Sequence, residues 1–105
     1  MSEIKRLDVY KVRMDKETIP CVIIQSDEAN MYSPTTIVVP LLDSANEVED
    51  IYCSIETKML GKKYAVMNKM VTVDQRRLTE FVEKLPETPV LAELKKCYDK
   101  FLKNA

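Results

Sequence analysis

The chain has 105 residues, and its 16 Lys and Arg against 17 Asp and Glu give a formal charge of −1, which supports one domain and excludes a global cationic field for nucleic acid. Hydrophobic residues at 46% and charged residues at 31% are the balance of a folded globular chain and exclude wholesale disorder. There is no histidine and one glycine, Gly61, which excludes Ser-His-Asp and Cys-His catalysis, histidine metal ligands and multi-glycine phosphate loops.

Leu7 to Val12 mixes β-branched and aromatic residues in partial alternation and predicts a strand with one buried face. Met14 to Ile19 reads as a polar turn, Ser26 to Pro34 as a second turn-prone stretch. Pro20 to Gln25 and Thr35 to Leu42 are apolar runs of strand length, and Pro40 inside the second implies an edge, a bulge or the end of regular pairing. Ile51 to Ile55, and Tyr64 to Met67 with Met70 and Val71, complete about five strands.

The period then changes. Thr72-Val73-Asp74-Gln75 fits a capping box, with Leu78, Phe81, Val82 and Leu85 on one face of a helix that Pro86 ends. Thr88 and Pro89 open a final helix with the stripe Leu91, Leu94, Tyr98, Phe101 and Leu102. Residues 1–105 thus read as a single α+β, mainly β domain, a small barrel-like sheet with helices packed against it.

Cys21, Cys53 and Cys97 are odd in number and widely spaced, which points to reduced thiols and away from a disulfide framework or a thiolate zinc site. No run reaches the length of a membrane span and no apolar segment follows the first residues, so the expected location is the cytoplasm.

Four stretches form an ordered set: Arg6-Leu7-Asp8-Val9-Tyr10, Ile19-Pro20-Cys21-Val22-Ile23-Ile24-Gln25-Ser26-Asp27, Asn30 to Pro40, and Met70-Val71-Thr72-Val73-Asp74-Gln75-Arg76-Arg77-Leu78. In turn they resemble an RGDIW-like strand, an RPVVVIQND-like strand, an N-x-x-S-P-T-x-I-V stretch and an I-R-T-I-D-x-x-R-L stretch of the MazF/PemK family of toxin endoribonucleases. The resemblance implies a CcdB/PemK-like SH3-type barrel of about five antiparallel strands with C-terminal helices, a homodimer, and a cognate antitoxin protein as partner. It further implies cleavage of single-stranded RNA without metal or other cofactor.

The sequence departs from that pattern where the family's chemistry sits. The catalytic Arg of the family falls at Ile19, its second catalytic Ser or Thr at Leu42, and the Arg of the last motif at Val71. Attack by a 2′-OH needs a proton acceptor, a donor for the leaving oxygen and positive charge or donors at phosphorus, none of which isoleucine or leucine supplies. Two readings follow. In one, catalysis uses Arg13, Lys16 and Glu17 of the shortened loop, with Glu17 as base and the cations against phosphate. In the other, the fold has lost cleavage and keeps a groove for nucleic acid or an antitoxin-type peptide.

Ser33, Thr35, Asn68, Lys69 and Thr72 are the candidate RNA contacts. The plainer readings are a solvated charged turn for Arg13 to Glu17, a strand start for Ser33 and Thr35, and a helix cap for Thr72. Arg76, Arg77 and the lysines beyond them interleave with acidic residues and read as a mixed solvated face.

Overall fold

In the computed structural model, which describes residues 3–104, an antiparallel sheet of seven strands carries the fold. β1 (Asp8–Met14) and β2 (Glu17–Ile23) form a hairpin in which Met14 pairs with Glu17 and Asp15-Lys16 is the turn. Asp15 has φ 49°, the left-handed conformation that a short polar side chain tolerates. Helix α1 (Asp27–Tyr32) follows, capped by Ser26, whose hydroxyl accepts from the Ala29 N–H at 3.2 Å.

β3 (Thr35–Leu42) is the hub. Its first half pairs with β6 (Val71–Asp74), its middle with β2, and Leu41 and Leu42 with β5 (Gly61–Val66). Pro40 is the last β3 residue paired with β2, so the missing N–H falls where the strand changes partner. β4 (Tyr52–Thr57) forms a hairpin with β5, turning through Gly61 at φ 74°, and β7 (Leu78–Lys84) lies along β1. Helix α2 (Glu87–Asn104) ends the chain.

Both faces of the central strands are buried, which accounts for their continuous apolar runs. On one face Val9, Val22, Val39 and Leu41 pack with Ile55, Met67, Leu85 and the α2 residues Val90, Leu94 and Cys97. On the other, Val12, Cys21, Ile23, Val38 and Val73 form a second cluster edged by Tyr10, Met14, Ile19 and Leu78. Each such side chain contributes about 1.5–3 kcal/mol through burial. The three cysteines are free: burial pushes the Cys21 thiol up to about 12, while a hydrogen bond to Cys97, together with burial, pushes Cys53 up.

Several sequence expectations are corrected here. The sheet has seven strands and not five, its path β4-β5-β3-β2-β1-β7 with β6 on β3 is open and not a closed barrel, and one C-terminal helix stands where two were expected. Ser26 to Pro34 contains a helix, and the polar turn of Met14 to Ile19 shrinks to Asp15-Lys16.

The helix read after Thr72 is β7. Its apolar positions mimic a 3.6 period because register shifts between Val9/Tyr10 and Lys11/Val12 interrupt the alternation. Thr72 is not a cap: it lies in β6 opposite Ile37. In α2, Thr88 is non-helical at φ −106°, as a cap requires, yet Tyr98 and Leu102 are exposed and Val90 and Cys97 take the buried positions.

Candidate nucleic-acid interface

The β1–β2 hairpin divides its charged residues between two hollows, because alternate side chains of a strand face opposite ways. Arg13 lines one hollow with Asp74, Arg76 and Arg77, whereas Met14, Asp15, Lys16 and Glu17 line the other. Arg13, Lys16 and Glu17 are exposed, with Arg13 opposite Thr18 and Glu17 opposite Met14. The structure therefore places the three sequence candidates at one tip but on two sides of it.

The arginine side of the tip is built by the corner between β6 and β7. Asp74 caps a single 3₁₀ turn, Gln75–Arg77, by accepting from the Arg76 N–H at 2.8 Å. The Arg76 side chain reaches back to both carboxylate oxygens, Nε at 3.1 Å and Nη2 at 3.0 Å, and these bonds hold the Asp74 carboxyl down at about 2. Arg77 Nη1 donates to the Arg13 carbonyl at 3.3 Å, which ties the corner to β1.

Gln75 fixes that corner from behind. Its Nε2 donates to the carbonyls of Asn30 (2.9 Å), Ser33 (2.9 Å) and Thr35 (3.1 Å), and its N–H to that of Pro34 at 2.9 Å. Asn30, fully buried, accepts at Oδ1 from Gln25 Nε2 and Thr36 Oγ1 and donates through Nδ2 to the Gln25 carbonyl. The stretch Asn30 to Thr35 is thereby a rigid platform under the arginines.

Ser33 and Thr35 stand on this platform, Thr35 opposite Asp74 in the register. Their hydroxyls lie 3.0 Å apart and hydrogen-bond each other. Asn68 and Lys69 lie at the far end of β6, separated from the arginines by about 13 Å of strand. The Asn68 Oδ1 accepts from the Ile51 N–H at 3.0 Å, and its Nδ2 points to Asp50 at 3.4 Å. Thr72, between the two ends, is exposed.

Ile19 packs against the second core cluster, Leu42 is half-buried opposite Tyr64, and Val71 is 38% exposed opposite Val38. Of the three, only Ile19 is packed against a core cluster. Sequence reasoning missed the arginine corner. Its signal, Asp74-Gln75-Arg76-Arg77, was present, but a helix would have spread those side chains around an axis, whereas the 3₁₀ turn delivers them to Arg13.

Among the described residues no helix is long and apolar enough to cross a membrane, and no three His, Cys, Asp or Glu side chains are grouped to hold a metal ion.

The family described as PemK-like, MazF-like toxin of type II toxin-antitoxin system matches residues 5–102. The chain is 36% identical over 76 residues to a Staphylococcus epidermidis protein named Endoribonuclease MazF, a match covering 69% of this chain and 63% of that relative's length. A mycobacterial endoribonuclease solved in complex with its cognate antitoxin has the same fold, with a TM-score of 0.80, 14% identity and coverage of 98% and 96% of the two chains. Another solved structure of an endoribonuclease from a mycobacterial species superposes at TM-score 0.81, with 14% identity over 98% and 94% of the two chains. The Mycobacterium tuberculosis toxin MazF-mt6 superposes at 0.70, with 13% identity over 88% and 96%.

Proposed function

Because the chain belongs to the PemK-like, MazF-like toxins of type II toxin–antitoxin systems, we propose that it is the toxin of such a pair and cuts single-stranded RNA from the β1–β2 hairpin without a metal or other cofactor. The observation that carries this reading is the hairpin tip, where a cation stands on one side of a two-residue turn and Lys16 and Glu17 on the other, all exposed. A strand crossing the tip edge-on meets both. Glu17 takes the proton of the attacking 2′-OH, Lys16 gives one to the departing 5′-oxygen, and Arg13 faces the charge that develops on the phosphoryl oxygens. Ser33, Thr35 and Thr72 contact the strand along β3 and β6, and Asn68 and Lys69 meet it at the far end.

The same reading makes the protein a cytoplasmic homodimer inhibited by a cognate antitoxin whose tail competes with RNA for this surface. Support comes from the fold neighbour solved with its own antitoxin.

A second reading, binding without cleavage, draws support from Ile19, Leu42 and Val71, since none of them carries or accepts a proton. One assay separates the two: a long single-stranded RNA is incubated in EDTA with the folded protein, and the ends are mapped for wild type, Arg13→Ala and Glu17→Ala. The cleavage reading expects discrete cuts that slow by about 10²-fold or more in either variant. Intact RNA after prolonged incubation leaves only the binding reading.

A further inference from the structure

The hollow lined by Arg13, Asp74, Arg76 and Arg77 is open to solvent and has a volume of about 300 Å³, ample for a phosphate group with its hydrating waters. Its one carboxylate is already committed, since both Asp74 oxygens accept from Arg76. Three guanidinium groups against one carboxylate leave a local charge of about +2 on a chain whose formal charge is −1. Among the described residues the Arg13 guanidinium has no hydrogen-bond or ion-pair partner, and Arg77 makes one long bond, to the Arg13 carbonyl at 3.3 Å. The two planar forks therefore keep most of their donors for an oxyanion, and the Gln75 anchor under the turn holds the corner that carries Arg76 and Arg77 in place.

We propose that Arg76 and Arg77 join Arg13 in holding the backbone phosphate that Arg13 faces, so that this pocket sets the register of a single-stranded RNA on the hairpin. Arg76 and Arg77 become binding residues and Asp74 a positioning residue that orients Arg76. The proposal rests on the reading of the protein as an RNA-directed toxin, and it extends the phosphate contact of Arg13 to a pocket lined by none of Ile19, Leu42 and Val71. An RNA phosphodiester is favoured over a peptide carboxylate because the pocket adjoins the hairpin across which the proposed function lays an RNA strand.

The test uses a fluorescein-labelled 12-mer of 2′-O-methyl RNA, which lacks the attacking hydroxyl and reports binding alone. Anisotropy titrations at several salt concentrations compare wild type, Arg13→Gln/Arg77→Gln, Asp74→Asn, and Lys95→Gln as a charge loss on α2. Circular dichroism checks that each is folded. The double variant is expected to bind about tenfold more weakly, equally for unrelated sequences, and to lower the slope of log K against log salt by about 0.7, the value for one phosphate. Lys95→Gln should match wild type, and Asp74→Asn should fail to show the tighter binding and steeper slope that loss of the pocket's one carboxylate alone would give, because Arg76 loses its orientation; tighter binding strips Asp74 of the positioning role.

Wild-type binding that is unchanged in the double variant overturns the phosphate site and leaves the toxin reading standing. A 12-residue poly-Glu peptide that displaces the RNA at equal concentration and ionic strength overturns it in favour of a carboxylate ligand. Wild type that binds no RNA at all overturns both.

Discussion

Asn30→Asp changes a single atom in the buried network beneath the arginine corner. The Oδ1 keeps its two donors, Gln25 Nε2 at 2.9 Å and Thr36 Oγ1 at 2.6 Å. The Nδ2, which donates to the Gln25 carbonyl at 3.1 Å, becomes an oxygen facing an oxygen. Asn30 is 0% exposed, so water cannot compensate. A buried carbonyl deprived of its donor costs about 1–3 kcal/mol, and the charge facing it raises the loss at pH 7 to about 3–4 kcal/mol.

The pH dependence gives the sharper check. The folded state favours the protonated acid, which restores a donor toward the Gln25 carbonyl, so the folded pKa lies above the unfolded value of about 3.9. The penalty is smallest below about pH 4, where both states are protonated, and grows by up to about 1.4 kcal/mol for each pH unit up to the folded pKa. Urea unfolding at pH 4, 5.5 and 7 measures this, with Asn30→Ala as a comparison whose cost is constant with pH. A variant within 0.5 kcal/mol of wild type, or a deficit that does not grow with pH, refutes the reasoning, in each case by about the accuracy of such data.

Two further outcomes follow from local geometry. Leu7 is buried at φ 74°, held by hydrogen bonds from its N–H to Ile23 and to its carbonyl from Leu85, so both Leu7→Gly and Leu7→Ala lose core packing but only glycine relieves the backbone. Leu7→Gly should be the more stable of the two by about 1 kcal/mol in urea unfolding, the reverse of the usual order. The Asp74 carboxyl should titrate near 2 by carbon NMR and return toward about 3.9 in Arg76→Gln. Being lowered in the folded state, it adds stability above the unfolded value, and that contribution is lost as pH falls from about 4 to about 2.

The parts of the fold that the sequence made legible are those where one physical signal acts alone. The apolar runs at Pro20 to Gln25 and Thr35 to Leu42 can satisfy two buried faces only as central strands, and Thr88-Pro89 marks a helix start without competition. The last strand was not legible. Its bulges, set by pairing with β1 some seventy residues away in sequence, give Leu78, Phe81, Val82 and Leu85 a helical spacing. Helix α1 was hidden because Ser26 and the acidic first turn are equally good turn residues, and the burial of Asn30 depends on Gln25, Thr36 and Gln75. The same misreading of β7 hid the arginine corner, while the hairpin charges were legible because a shortened polar loop has nowhere to bury them.

The central claim is that the working surface is the β1–β2 hairpin together with the Gln75–Arg77 turn. Backbone amide shifts in nitrogen–proton NMR, followed as 2′-O-methyl RNA is added to the labelled protein, test it most directly. The account predicts the largest shifts at Arg13 to Glu17 and at Arg76 to Leu78, with α2 unmoved. Shifts confined to α2 or to the β4–β5 hairpin would contradict it.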